Sequence, residues 1–173
     1  MIKSLKGSHI VLRIKSTIKI RGHELDVIAE HNRVFDKIGC VGVGKFGASW
    51  NQSRCNEFNT AIKNGVPTNL FIVSKTANGY RGFRAPIRVI LLSGNTKGHV
   101  IKFPEYYNEL HRQPALYETA LSAKPSMWFL LAGRLESHPL VHLRLLSNGR
   151  PLLDVLSDSR PATMLVLDRQ KPH

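Results

Sequence analysis

The chain has 173 residues, and its 25 Lys plus Arg against 12 Asp plus Glu leave a net charge of +13 with histidine neutral. At that length folding buries roughly 70% of the unfolded surface, and a hydrophobic content of 42% excludes a disordered chain and any need for a metal or disulfide staple. The charge points to an anionic partner, nucleic acid before a membrane surface, because Lys and Arg on phosphates release condensed counterions; the bland reading is a solubilising surface.

No run of about 18 apolar residues is present, so no membrane-spanning helix is expected. Residues 1–7 are basic, but Arg13, Lys15 and Lys19 interrupt the stretch that follows, which argues against a signal peptide. Cys40 and Cys55 are the only cysteines, too few for a disulfide framework or a zinc site, and a cytoplasmic chain with buried thiols is the simplest expectation.

Ile10, Leu12, Ile14, Ile18 and Ile20 share one parity, the period of a half-buried strand over residues 10–20. Residues 24–38 have helical spacing, with Gly39 placed as a C-cap. A short strand over 40–46 carries Gly42 and Gly44 at alternate positions, where glycine marks close approach or tight packing. A loop holding Trp50 leads to a helix over 52–64. Strands at 68–75 and 80–92 flank Asn78-Gly79, a hairpin signal, and Pro86 marks an edge or a bulge. Residues 93–102 read as a loop or a weak strand, 105–112 and 115–122 as short helices, and 128–135, 141–146 and 163–167 as strands, with a turn at 147–149. Strands dominate and two good helices come early. That order suits one α+β domain over residues 1–173, a small, strongly bent mixed sheet or barrel flanked by helices.

The search for catalytic chemistry finds no constellation. His31-Asn32-Arg33 begins like a nuclease motif but lacks its zinc knuckle, and Gly42-Val43-Gly44-Lys45 is not a phosphate loop because Phe46 follows the lysine. Asp154, Asp158 and Asp168 near Lys171 are the residues a metal-dependent nuclease would use, at unconvincing spacing. No cofactor and no metal are expected.

What remains is a binder's inventory. Arg13, Lys15, Lys19, Arg21, Lys75, Arg81, Arg84 and Arg88 recur in the strands and turns, with Phe46, Trp50, Tyr80 and Phe83 beside them. Aromatic faces stack on bases while cations track phosphates. Core packing is the competing role for each aromatic residue, and Trp50, in a polar loop, is the one with even odds of ligand contact.

Three stretches together resemble the PUA-like superfamily, nearest its YTH and EVE branches. They are residues 12–17 (LRIKST); Trp50 with Asn56-Glu57-Phe58, Ala61, residues 67–73 (PTNLFIV), Gly79 and Gly82-Phe83; and residues 128–131 (WFLL) with Arg134-Leu135, His142 and Asn148-Gly149. His31 through Gly44 is similar to the entry of EVE-like domains attached to modification-dependent restriction enzymes. The order of these stretches carries the resemblance, which covers about residues 10–168. It implies a reader that takes a modified base, flipped from its stack, into an aromatic cage. Lys15, Ser16 and Thr17 match the strand bordering the pocket. The family's first cage tryptophan would fall at Val41-Gly42, and Trp50 is the candidate to replace it; the second would fall near Leu131 or Ala132, and Trp128, slightly early, is expected in the core.

The expectation is therefore a nucleic-acid-binding domain that recognises a modified, methylated base, the specificity module of an antiviral restriction system with a fused or associated motor or nuclease. Lys15, Ser16, Thr17, Val43, Lys45, Phe46, Trp50 and Asn51 are expected at the pocket, and Arg13, Arg81 and Arg84 on phosphates. The alternatives are a small metal-dependent nuclease and a structural RNA-binding protein without a base pocket.

Overall fold

The computed structural model describes residues 7–96, 98–112, 124–158 and 163–169. The expected helix over 115–122 and Lys171 lie outside them. The period-two run at the start divides into strands β1 (His9–Arg13) and β2 (Thr17–Ile20). Both keep the inward isoleucine parity, but the chain turns away between them, where the Ser16 carbonyl accepts from Val27 N at 2.8 Å. β2 pairs with β3 (His23–Asp26) in a separate two-stranded ribbon. Ile20 stands opposite His23, so the turn is Arg21-Gly22, with φ of 52° and 78°; two left-handed residues make the turn that matches strand twist. Helix α1 (Val27–Ile38) starts three residues later than its periodicity suggests, because extended Asp26 serves as N-cap and accepts from Ala29 N at 3.0 Å. Gly39, at φ 85°, closes it as expected. Asn51 likewise caps α2 (Gln52–Lys63), accepting from Arg54 N at 2.8 Å.

The remaining strands are β4 (Val41–Lys45), β5 (Asn69–Thr76), β6 (Gly79–Leu92), β7 (Met127–Leu131), β8 (Glu136–Ser137), β9 (Leu143–Leu145) and β10 (Thr163–Asp168). A 3-10 helix spans Glu105–Arg112, and α3 spans Leu152–Asp158. The sheet order is β4-β7-β6-β5-β1-β10-β9, with β8 on β6. Among the described residues only β1 and β5 run parallel; the other pairs are antiparallel. β6 is shared: residues 79–86 pair with β5, residues 87–92 pair with β7, and the register with β7 shifts between Ile87 and Val89. Pro86 thus sits at the change of partner, as its missing N–H requires.

The fold is the expected α+β class with a mixed sheet and flanking helices. The barrel alternative is not realised, since β4 and β9 stand at opposite ends of an open sheet. The edge at β4 is satisfied without closure: Gly42 N donates to Lys102 O at 2.7 Å and Gly44 N to the Tyr107 hydroxyl at 3.1 Å. Both sheet faces are covered. One packs Leu12, Ile72, Ile90 and Phe129 under α1 and α2; the other packs Val11, Phe71, Val73 and Val166 under α3 and Leu140. β5 is therefore apolar on both sides, which explains the unbroken run at 70–73.

Candidate nucleic-acid interface

The residues expected at the pocket occupy two places. Lys15 and Thr17 are exposed and Ser16 half-buried at the bend between β1 and β2, with Ser16 tied to α1. Val43, Lys45, Phe46, Trp50 and Asn51 follow one another at the end of β4 and its loop. Of these, Val43 and Phe46 are inside the core. Lys45 turns its ammonium back onto the carbonyls of Phe46 and Ala48, and burial holds its pKa below the usual lysine value. Trp50 is half-buried, stacked on Phe58 at 5.4 Å, edge-on to Phe129 at 5.9 Å, with the Arg54 guanidinium 5.5 Å from its ring. Asn51 is engaged as the α2 cap. The loop is thus organised by its own side chains.

The apolar concavity lies on the other side of β4. A cleft of about 470 Å³ is lined by Phe103, Tyr107, Pro125 and Trp128, with Ser93, Asn108 and Lys124 among its walls. Phe103 and Trp128 are stacked at 5.0 Å with 21° between planes, and Tyr107 meets both, at 5.6 and 5.3 Å. Phe46 stacks behind Tyr107 at 6.1 Å. The glycines of β4 make this arrangement possible. A Cβ on Gly42 would lie 2.8 Å from Ile101 and 3.0 Å from Trp128, and one on Gly44 would lie 2.6 Å from Pro125 and 3.1 Å from Tyr107. Close packing against an aromatic wall is the reason for the alternation, not a phosphate. Trp128, expected in the core, is 7% exposed and belongs to both core and cleft.

A polar chain fixes the cleft from below. Gly44 N–H donates to the Tyr107 hydroxyl at 3.1 Å, that hydroxyl lies 3.2 Å from His31 Nε2, and His31 Nδ1 lies 2.8 Å from the Val27 carbonyl. The one consistent assignment has Nδ1 donating to the carbonyl and Nε2 accepting from Tyr107. Burial lowers the His31 pKa to about 4 and pushes that of Tyr107 up to about 12, so both are neutral over the physiological range. His31, flagged by its nuclease-like tripeptide, is a core anchor. Asn32, its neighbour, exchanges two hydrogen bonds with the Leu135 backbone, at 2.8 and 2.9 Å.

Among the expected phosphate ligands, Arg13 lies 6.0 Å from the Tyr80 ring and exposed Arg81 lies 5.2 Å from the Phe83 ring. Arg84 is half-buried on β6. The acids of the nuclease alternative are dispersed: Asp154 and Asp158 are on α3, where Asp158 pairs with Arg150 at 3.2 Å, and Asp168 ends β10 with its Oδ2 4.0 Å from His138 Nε2. Among the described residues no group of three or more His, Cys, Asp or Glu is placed to hold a metal ion, and no helix is long and apolar enough to cross a membrane. Phe103, Tyr107 and Asn108 escaped sequence reasoning as site residues; a dense aromatic run at 103–107 was the available signal. Comparison with protein-family models, curated proteins and solved structures finds no match.

Proposed function

We propose that this chain is a nucleic-acid-binding domain that takes an unstacked base, methylated by preference, into the cleft of Phe103, Tyr107 and Trp128, as the specificity module of an antiviral restriction system. The cleft carries the reading. Its volume lies within the range of small-ligand sites, its walls are aromatic, and Asn108, Ser93 and Lys124 supply polar groups for a base edge and its phosphate. Stacking contributes about 1–3 kcal/mol per base, and a methyl buried against aromatic walls adds roughly 0.8 kcal/mol, which together offset the few kcal/mol that flipping costs. The net charge of +13 favours the approach of any polyanion. The resemblance to PUA-like readers points the same way, with the pocket moved from the Trp50 loop to the far side of β4, where the cleft lies.

Competition binding at about 150 mM salt, with matched DNA and RNA competitors unmodified or carrying methylated adenine, methylated cytosine or hydroxymethylcytosine, tests the proposal. A tenfold preference for one modified base, lost in Phe103→Ala together with about 1–3 kcal/mol of affinity, is expected. Equal competition by all of them would leave a phosphate-driven binder without a base pocket.

A further inference from the structure

Two of the eight histidines gather where sequence spacing gives no hint of it, at one end of the sheet face that carries Phe71. Strand register puts them there. Arg84 stands opposite Phe71 in the β5–β6 pairing, Asp168 is two residues beyond Val166, the partner of His9, and His138 follows β8, donating its N–H to Gly82 O at 2.9 Å. The rings of His9 and His138 lie 5.7 and 5.5 Å from the Phe71 ring, and His138 Nε2 is 4.0 Å from Asp168 Oδ2.

The groups are not equivalent. Asn69 N–H donates to His9 Nδ1 at 3.0 Å, so that nitrogen carries no proton and His9 is a neutral ring with Nε2–H as its donor. Burial, with the nearby Arg84 charge, keeps His9 from protonating against the pull of Asp168. His138 lacks such an amide. Burial, Arg84 and His142 lower its pKa, while Asp168 raises it. Among the described residues Arg84 and Asp168 act on both rings with opposite charge, and Glu136 and Arg169, both exposed, are a further pair of opposite sign. One added phosphodiester anion is balanced by one added proton, and His138, beside Asp168, is the group placed to take it.

We propose that this end of the sheet seats a phosphodiester group, held by the Arg84 guanidinium and His9 Nε2–H, with His138 taking up one proton as the phosphate enters. The seat rests on the nucleic-acid reading for its natural ligand, but not for its test. Proton uptake on binding makes affinity rise as pH falls, by up to about tenfold per pH unit where His138 titrates.

Two measurements decide it. In the first, inorganic phosphate is titrated into the full chain while the histidine ring resonances are followed by NMR. Saturable shifts of His9 and His138, with His138 titrating at higher pH in the presence of phosphate, and loss of both effects in Arg84→Gln, are expected; unmoved resonances overturn the seat whether or not nucleic acid binds. In the second, oligonucleotide affinity is measured from pH 5.5 to 8.5 at constant salt. The wild-type dependence should flatten in His138→Asn, and Asp168→Asn should bind more tightly at pH 7.5, because removing the carboxylate leaves the cluster cationic without a proton. A dependence carried unchanged into both variants would also overturn it. A gain of affinity in Asp168→Asn is not an outcome of misfolding, so the test survives a damaged His138 variant. An oligonucleotide that binds at no pH sinks the proposed function, and the phosphate titration then judges the seat alone.

Discussion

Fully buried, where desolvation outweighs the pull of Glu30, His31 is neutral in the folded chain and ordinary in the unfolded one, and that difference sets a pH dependence. Its folded pKa is lowered to about 4 from 6.5. Between those values the unfolded state binds the proton and the folded state does not, so stability is lost as pH falls through the window, by on the order of 3 kcal/mol from this group. Denaturant unfolding at pH 7, 6, 5 and 4 should show the loss, and His31→Ala, less stable at pH 7 because Tyr107 loses its acceptor, should lack this part of the slope. His9 and His138, both lowered, contribute a remainder common to wild type and variant. At the same scale, Lys45 and Phe46 are engaged within the fold. A lysine that closes its own loop through two carbonyls, and a phenylalanine stacked behind Tyr107, shape the neighbouring walls.

Two helical asparagines perform one task at the scale of elements. β6 leaves β5 after Pro86, so the backbone of Ile90 has β7 on one side and no strand on the other. Asn59 of α2 fills the place of the missing strand, donating to Ile90 O and accepting from Ile90 N, both at 2.8 Å. Asn32 of α1 does the same for Leu135. Asn59→Ala strands a part-buried donor and acceptor at once. It should therefore cost about 2–3 kcal/mol, seen as a lower urea midpoint at unchanged m, with Asn59→Asp intermediate because it keeps only the acceptor. Nothing in a single sequence distinguishes these asparagines from the exposed polar face of a helix. The element boundaries that sequence reading misplaced have similar causes. β3, β8 and α3 are short and take their identity from pairing and packing, whereas α1, α2 and the β5–β6 hairpin announce themselves through caps, periodicity and Asn78-Gly79.

Charge and topology act on the whole molecule. The net charge of +13 includes Lys19, Lys75, Arg81 and Arg88 at exposed positions of the strands. Each phosphate neutralised on a duplex contributes about 0.9 to the slope of log affinity against log salt. Exposed Arg81 should behave as one such contact: Arg81→Ala should lower the slope by about 1 across a salt series and leave the preference among modified bases unchanged. A changed preference with an unchanged slope would place Arg81 at the base instead.

The amino-acid sequence by itself determined the α+β class, the two early helices with the Gly39 C-cap, the central hairpin and the net positive charge. These follow from composition and from interactions between residues a few positions apart. The open edge at β4, the aromatic cleft and the histidine cluster were decided only by the tertiary structure. Phe103 meets Trp128, and His9 meets Asp168, through strand register and sheet order, and no local periodicity encodes which distant strands become neighbours.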